Sequence, residues 1–203
     1  MFSEYENSPI SILIENDGLA TYFPNFIEDR AGRELFDLII QNEAFQQTEI
    51  LLFGKKMKVP RLEAFYSLNG ESYSYSGKTL PMSPLPKYLN KLRELVEERT
   101  GYKYNALLIN FYRNGMDSNG WHSDDEKSLG QNPSIASISL GAARRFDIKH
   151  KRGGSVKKII LENGSLLHMH GAMQHNYKHQ LPKIPQLLQA RINLTFRWIE
   201  ASR

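Results

Sequence analysis

From residue 106 onward, apolar and polar side chains alternate in short runs. The runs are Ala106–Tyr112, Ile135–Leu140, Arg145–His150, Val156–Leu161, Ser165–Met169 and Arg191–Ile199. Between them stand Asn114-Gly115, Gly153-Gly154 and Asn163-Gly164. A period of two predicts strands, and the glycine pairs predict tight turns. Before residue 106 the period changes. Ile27 to Phe45 places Ile27, Ala31, Leu35, Leu38 and Ile39 at helical spacing, with Asp29 where the helix dipole favours an acid. A second helix is predicted from Lys87 to Arg99. Pro86 leads into it, Gly101 follows it, and Leu89, Leu92, Leu95 and Val96 form its stripe. Leu51 to Gly77 is rich in aromatics and glycine, and Pro81, Pro84 and Pro86 make a stiff connector. Residues 1–26 read as an arm holding a short apolar stretch, Ile10 to Ile14. Helices followed by a run of strands predict an α+β fold: a two-sheet jelly roll with helices backing one sheet. No repeat or domain boundary interrupts it, so the whole of 1–203 is expected to be a single domain.

The chain has 203 residues, 40% hydrophobic and 24% charged, which is globular composition for one domain. It contains no cysteine, which excludes disulfides, cysteine metal sites and a thiol nucleophile. Any metal must be held by His, Asp or Glu. No apolar run approaches the ~20 residues of a membrane span. The polar, acidic start Met-Phe-Ser-Glu-Tyr-Glu does not resemble a signal peptide. The expected location is the cytosol, or the nucleus in a eukaryote, with no membrane partner. The net charge is only +4, but it is unevenly spread. Arg144, Arg145, Lys149, Lys151, Arg152, Lys157 and Lys158 fall within fifteen residues, with Asp147 the only acid among them.

The last strand carries the most chemistry. One face presents Ile192, Leu194, Phe196 and Trp198 and should be buried; the other presents Arg191, Asn193, Thr195 and Arg197. In a central strand, that second face lines a cavity whose arginines need an anionic partner. In an edge strand it is simply solvated. Asn110 and Tyr112 share one face of Ala106–Tyr112 and could hold the same anion. His122-Ser-Asp124 supplies two metal ligands, and a further His would complete the 2-His-1-carboxylate triad of non-haem Fe(II) oxygenases. His168, His170, His175 and His179 all qualify by spacing. His168 and His170 also share a strand face and could be a separate metal pair.

Taken together, these residues resemble the AlkB-type Fe(II)/2-oxoglutarate dioxygenases, especially the animal members that repair N-alkylated bases. The anchors are Val59-Pro-Arg61, Tyr73-Ser-Tyr75-Ser76-Gly77, Asn110-Phe-Tyr112, His122-Ser-Asp124-Asp125-Glu126, Pro133 to Gly141, Gly164 to Leu167, His179-Gln-Leu-Pro182 and Arg191-Ile-Asn193-Leu-Thr195-Phe-Arg197. The resemblance runs from about Leu51 to Ile199. It implies a double-stranded β-helix (jelly-roll) core over 101–203, a nucleotide-recognition region over 51–100, and an arm and helix over 1–50. It selects His179, which precedes Gln-Leu-Pro and stands twelve residues before Arg191. His122, Asp124 and His179 would then bind Fe(II). 2-Oxoglutarate would meet Arg191 through its distal carboxylate, with Asn110 and Tyr112 assisting and with Asn193, Thr195 and Arg197 lining the rest.

O2 completes the implied reaction, with ascorbate as a helper in vitro. The implied activity is demethylation of bases such as 1-methyladenine and 3-methylcytosine in DNA, with RNA as the alternative. Formaldehyde, succinate and carbon dioxide are released. Tyr73 and Tyr75 would stack on a flipped base. Asp125, supported by Glu126, would meet its exocyclic amine. Phe53 would act as an apolar wedge, and Arg61 and Ser76 complete the substrate set. The basic stretch would meet phosphates. A monomer is expected. The competing readings are the same oxygenase chemistry on a modified RNA or protein side chain, and a non-catalytic jelly-roll binding module.

Overall fold

The computed structural model describes residues 11–52, 54–68, 73–75, 78–80 and 82–200. In chain order its elements are β1 (Ser11–Ile14), β2 (Leu19–Phe23), α1 (Asp29–Asn42), β3 (Glu49–Leu52), β4 (Lys55–Lys58), β5 (Leu62–Ser67), β6 (Tyr73–Tyr75), β7 (Lys78–Leu80), β8 (Ser83–Pro84) and α2 (Lys87–Thr100). Then follow β9 (Ala106–Tyr112), β10 (Asn119–His122), β11 (Ile135–Gly141), β12 (Arg144–His150), β13 (Lys157–Leu161), β14 (Ser165–His170), α3 (Met173–Asn176), β15 (Tyr177–Leu181) and β16 (Arg191–Arg197).

Two sheets face each other. The larger has the order β1-β2-β14-β11-β16-β9-β5-β8, and the smaller the order β10-β15-β12-β13. β16 is therefore central, paired antiparallel to β11 and to β9. That removes the edge-strand alternative, and all seven of its residues are buried.

The outer face of the large sheet carries Ile192, Leu194 and Phe196, flanked by Leu107, Ile109, Ala136, Ile138 and Leu140. These pack on Leu35, Phe36 and Ile39 of α1 and on Leu89, Leu92 and Val96 of α2. Full burial of each such side chain contributes roughly 1.5–3 kcal/mol. A second apolar cluster, including Ile135, Leu167, Met169, Ile148 and Leu161, fills one end of the space between the sheets. The two helices thus back one sheet, and the polar alternates of β9, β11 and β16 face the other.

Several expectations need correction. Trp198 lies past the end of β16 and is 49% exposed, so it does not extend the buried face. The helix predicted to reach Phe45 stops at Asn42. Glu43 is extended, and its carboxylate accepts from the hydroxyls of Tyr66 and Tyr88. Part of the arm is sheet: β2 pairs with β14 and buries Ala20 and Tyr22 against the inter-sheet cluster. The stretch around His175 to His179 is a helical turn followed by strand β15.

Candidate metal and cosubstrate site

His122 closes β10, and its register partner across the strand pair is His179 of β15. Asp124 follows two residues later. One ligand atom from each of the three residues lies within 4.8 Å of the others. Nε2 of His122 and Nε2 of His179 are 3.1 Å apart, and Nε2 of His179 is 3.6 Å from Oδ2 of Asp124. Nδ1 of His122 is 2.7 Å from the carbonyl oxygen of Gly120. A carbonyl only accepts, so Nδ1 carries the proton and the Nε2 lone pair faces the cluster.

Burial lowers the His179 pKa to about 3 and also lowers that of His122, so both imidazoles are neutral near pH 7. Burial alone would raise Asp124. The positive charge of Arg197, with the neighbouring histidines, reverses this and holds its carboxyl below the usual range. Arg197 donates to Oδ1 of Asp124 at 2.6 Å, and the Asp124 N–H donates to Oε1 of buried Gln174 at 2.9 Å. Two neutral imidazoles and one ionised carboxylate, convergent, with His179 and Asp124 buried and His122 half-buried, suit a divalent cation.

Arg191 stands further along β16 and is 2% exposed. It donates to Oγ of Ser139 at 2.8 Å, lies 5.3 Å over the Tyr112 ring, and its Nε has no partner. No carboxylate pairs with it among the described residues, and burial pulls its pKa down to about 10. A buried guanidinium facing a cavity with Ser139 and Tyr112 but no carboxylate beside it among the described residues suits a carboxylate ligand. Arg197 differs, because its acid is Asp124 rather than a cosubstrate.

Asn193 spends its amide on Oγ of Ser137 and the carbonyl of Ile138, and it accepts from Thr195. Oδ1 of Asn110 accepts from Arg61 at 2.8 Å. One cleft joins Asn110, Tyr112, Arg191, Asn193, Thr195 and Arg197 to His122, Asp124 and His179.

Other expected residues lie elsewhere. Arg61 is buried behind Asn110. It pairs with Glu63 at 2.7 Å and donates to Asn119 at 3.2 Å, so it braces the cleft wall. Asp125 is exposed and pairs with Lys151 at 3.0 Å, and Glu126 leads into the turn Lys127–Leu129. Neither lines the cleft. Phe53, Ser76 and the side chains of Tyr73 and Tyr75 lie outside the described residues.

The basic stretch is mostly on the surface: Lys151, Arg152, Lys157 and Lys158 are exposed, and Arg144 is its one buried member. Arg144 is fully buried and donates to the carbonyls of Asn114, Asp117 and Pro182. Arg145 pairs with Asp147, and Lys157 donates to the Leu13 carbonyl. Arg152 and Lys158 stay exposed.

His168 and His170 stack with rings 4.3 Å apart and planes 12° apart, while Nε2 of His168 is 2.9 Å from Ser134 Oγ. Parallel rings do not converge on one ion, so the pair is not a second metal site. His175 is exposed in α3, away from the triad. Sequence reasoning missed Asn119 and Gln174, polar residues with no motif around them, and gave no role to Ser137 and Ser139 although they lie within Pro133 to Gly141.

A two-sheet β-helix with a His-Asp-His cluster at one end of its cleft and an acid-free arginine at the other defines an Fe(II)- and 2-oxoglutarate-dependent oxygenase. Comparison with known proteins agrees. The 2OG-Fe(II) oxygenase superfamily matches residues 19–197. The human "Alpha-ketoglutarate-dependent dioxygenase alkB homolog 3" is 38% identical over 87% of this chain and 65% of its own length. The human "DNA oxidative demethylase ALKBH2" is 38% identical over 81% of this chain and 71% of its own. The solved structure of OsALKBH1 superimposes with a TM-score of 0.59 at 18% identity, covering 94% of this chain and 100% of that one, which supports the fold. This chain belongs to the 2OG-Fe(II) oxygenase superfamily and is an AlkB-type dioxygenase. It spans about 65% of the length of the alkB homolog 3 protein it matches.

Proposed function

We propose that the protein removes alkyl groups from nucleic-acid bases by oxidation, with 1-methyladenine and 3-methylcytosine in DNA as its substrates and RNA as a second polymer. The observation that carries this reading is the pairing, within one cleft, of the buried triad with the acid-free Arg191. The named activities of the similar proteins support the substrate class. In this reading the whole chain is one catalytic domain, with 101–203 as its core.

Bound Fe(II), 2-oxoglutarate and O2 supply an oxidant that hydroxylates the N-alkyl carbon, giving formaldehyde, succinate and carbon dioxide with the repaired base. The protein's own part is positioning and exclusion of water. His122, Asp124 and His179 would hold the metal, and a three-residue ligand set would leave it open to small ligands. Arg197 keeps Asp124 ionised. Arg191, with Asn110 and Tyr112, fixes the distal carboxylate and so sets how far the cosubstrate reaches. Thr195 and Asn193 line the wall between them. Asp125 and Glu126 stand just beyond the metal ligands, where a flipped base would enter. Arg152 and Lys158 offer charges to the phosphate backbone. Tyr73 and Tyr75 are assigned to stacking on the base, and Phe53 and Ser76 to the same substrate set.

The test is product release with Fe(II), ascorbate, 2-oxoglutarate and an oligonucleotide carrying 1-methyladenine or 3-methylcytosine. Formaldehyde and succinate should appear in step with the repaired base and disappear in His179→Ala. Succinate without formaldehyde would overturn the substrate class and keep the oxygenase; neither product with metal bound would overturn both.

A further inference from the structure

Asn119 stands three residues before His122 and lines the cleft. Its Oδ1 accepts from a guanidinium nitrogen of Arg61 at 3.2 Å. Arg61 can only donate, so this contact fixes which end of the amide is which. The nitrogen end therefore faces inward, with Nδ2 3.3 Å from Nε2 of His122. Nε2 is the lone pair that the triad directs at a cation. Once a cation takes that lone pair, the Asn119 N–H loses its acceptor. A donor N–H beside a cation is repelled unless it meets an electron-rich ligand on the metal. Arg61 also says which ligand: the same guanidinium holds Asn110 at 2.8 Å, so both amides lie on one side of the cleft.

We propose that Asn119, braced by Arg61, donates its amide N–H to a 2-oxoglutarate oxygen on the metal beside His122. Asn119 is then a further cosubstrate-binding residue, acting at the opposite end of the ligand from Arg191. The inference rests on the iron and 2-oxoglutarate reading and adds a contact to it. A purely structural Asn119 would serve only to satisfy Arg61, and its loss would leave the bound metal complex unchanged.

The experiment titrates Co(II), then 2-oxoglutarate, under argon, following the visible spectrum of wild type, Asn119→Leu, Asn119→Gln and His179→Ala. Asn119→Leu should bind Co(II) as the wild type does. It should bind 2-oxoglutarate about tenfold more weakly, as loss of one hydrogen bond to a charged group implies. The spectrum of its ternary complex should also be displaced. Asn119→Gln, which keeps an amide, should recover part of the affinity. Circular dichroism and Tm show that each variant is folded. A folded Asn119→Leu with wild-type cosubstrate affinity and a superimposable spectrum overturns the proposal while leaving the iron site intact. Co(II) binding that survives in His179→Ala overturns the iron-site reading and this proposal with it.

Discussion

Arg197 donates to Asp124 across the cleft floor at 2.6 Å, from the central strand of one sheet to the turn that follows the edge strand of the other. Both side chains are almost fully buried. The pair therefore ties the metal turn to the sheet that carries the cosubstrate residues. Removing one partner of a buried pair leaves the other charge stranded, at a cost of roughly 3–5 kcal/mol. Arg197→Met should therefore lose stability on that scale. It should also raise the Asp124 pKa, so that metal affinity falls steeply as pH drops toward the carboxylate range. Urea unfolding and a Co(II) titration at two pH values check both effects. Unchanged affinity at the lower pH would show that Arg197 does not control Asp124.

Arg191 is the contrasting case. With Ser139 and Tyr112 beside it and no carboxylate among the described residues, its charge is a burden on the ligand-free fold. Arg191→Met should leave the ligand-free protein as stable as wild type or more so, because an apolar side chain needs no partner there. The same variant should weaken 2-oxoglutarate binding by at least a hundredfold, as expected for an unmade buried carboxylate pair, and leave Co(II) binding unchanged. Calorimetry on the metal-loaded protein separates the two affinities. A variant that loses both equally would place Arg191 in the fold rather than at the cosubstrate.

The strands that pack on helices were legible because each alternates cleanly: Ile192, Leu194 and Phe196 have no polar neighbour on their face. β10 and β15 were not. Asn119-Gly-Trp-His122 and Tyr177-Lys-His-Gln-Leu181 carry site chemistry where a core strand would carry apolar residues. Function had overwritten the period that reveals a strand. Spacing also left four histidines open, and only the register opposite His122 brings His179 to the cluster. Within the basic run, one residue was not legible for a different reason. Net charge along a sequence does not show that Arg144 points inward to three carbonyls.

His168 gives the fold an acid limit. Burial lowers its pKa to about 3 from the ordinary 6.5. The folded state then binds fewer protons than the unfolded state between those values, so stability falls as pH drops from about 6.5 toward 3. At pH 5 the loss is roughly 2 kcal/mol, taking about 1.4 kcal/mol for each pH unit below 6.5. His168→Asn cannot titrate, and its urea midpoint should fall less between pH 7 and pH 5 than the wild-type midpoint does. Equal falls in the two proteins would mean that other groups set the limit.

Gly115 joins the two ligand-bearing strands through their flanking loops. Its N–H donates to the Leu187 carbonyl, and its carbonyl accepts from Ile184, both at 2.8 Å. A Cβ at Gly115 would stand 1.8 Å from the Ile184 carbonyl oxygen, so the loops must separate in Gly115→Ala. The expected cost is about 1–3 kcal/mol of stability, the usual price of overpacking. Metal affinity should fall as well, because the loops lead to His122 and from His179. A Co(II) titration beside urea unfolding reads both, and wild-type values in each would refute the coupling.

The basic stretch divides into two classes that salt can tell apart. Arg144 has no surface to offer a phosphate, so Arg144→Gln should lower Tm and leave the salt dependence of oligonucleotide binding unchanged in the folded fraction. Arg152 and Lys158 are exposed, so Arg152→Gln and Lys158→Gln should leave Tm unchanged. If each meets one phosphate, each substitution lowers the slope of log K against log salt by about 0.7 for a single strand and about 0.9 for a duplex. Fluorescence anisotropy at several salt concentrations measures these slopes. A slope that drops for Arg144→Gln and holds for the two surface variants would reverse the assignment and move the nucleic-acid path away from the β12–β13 edge.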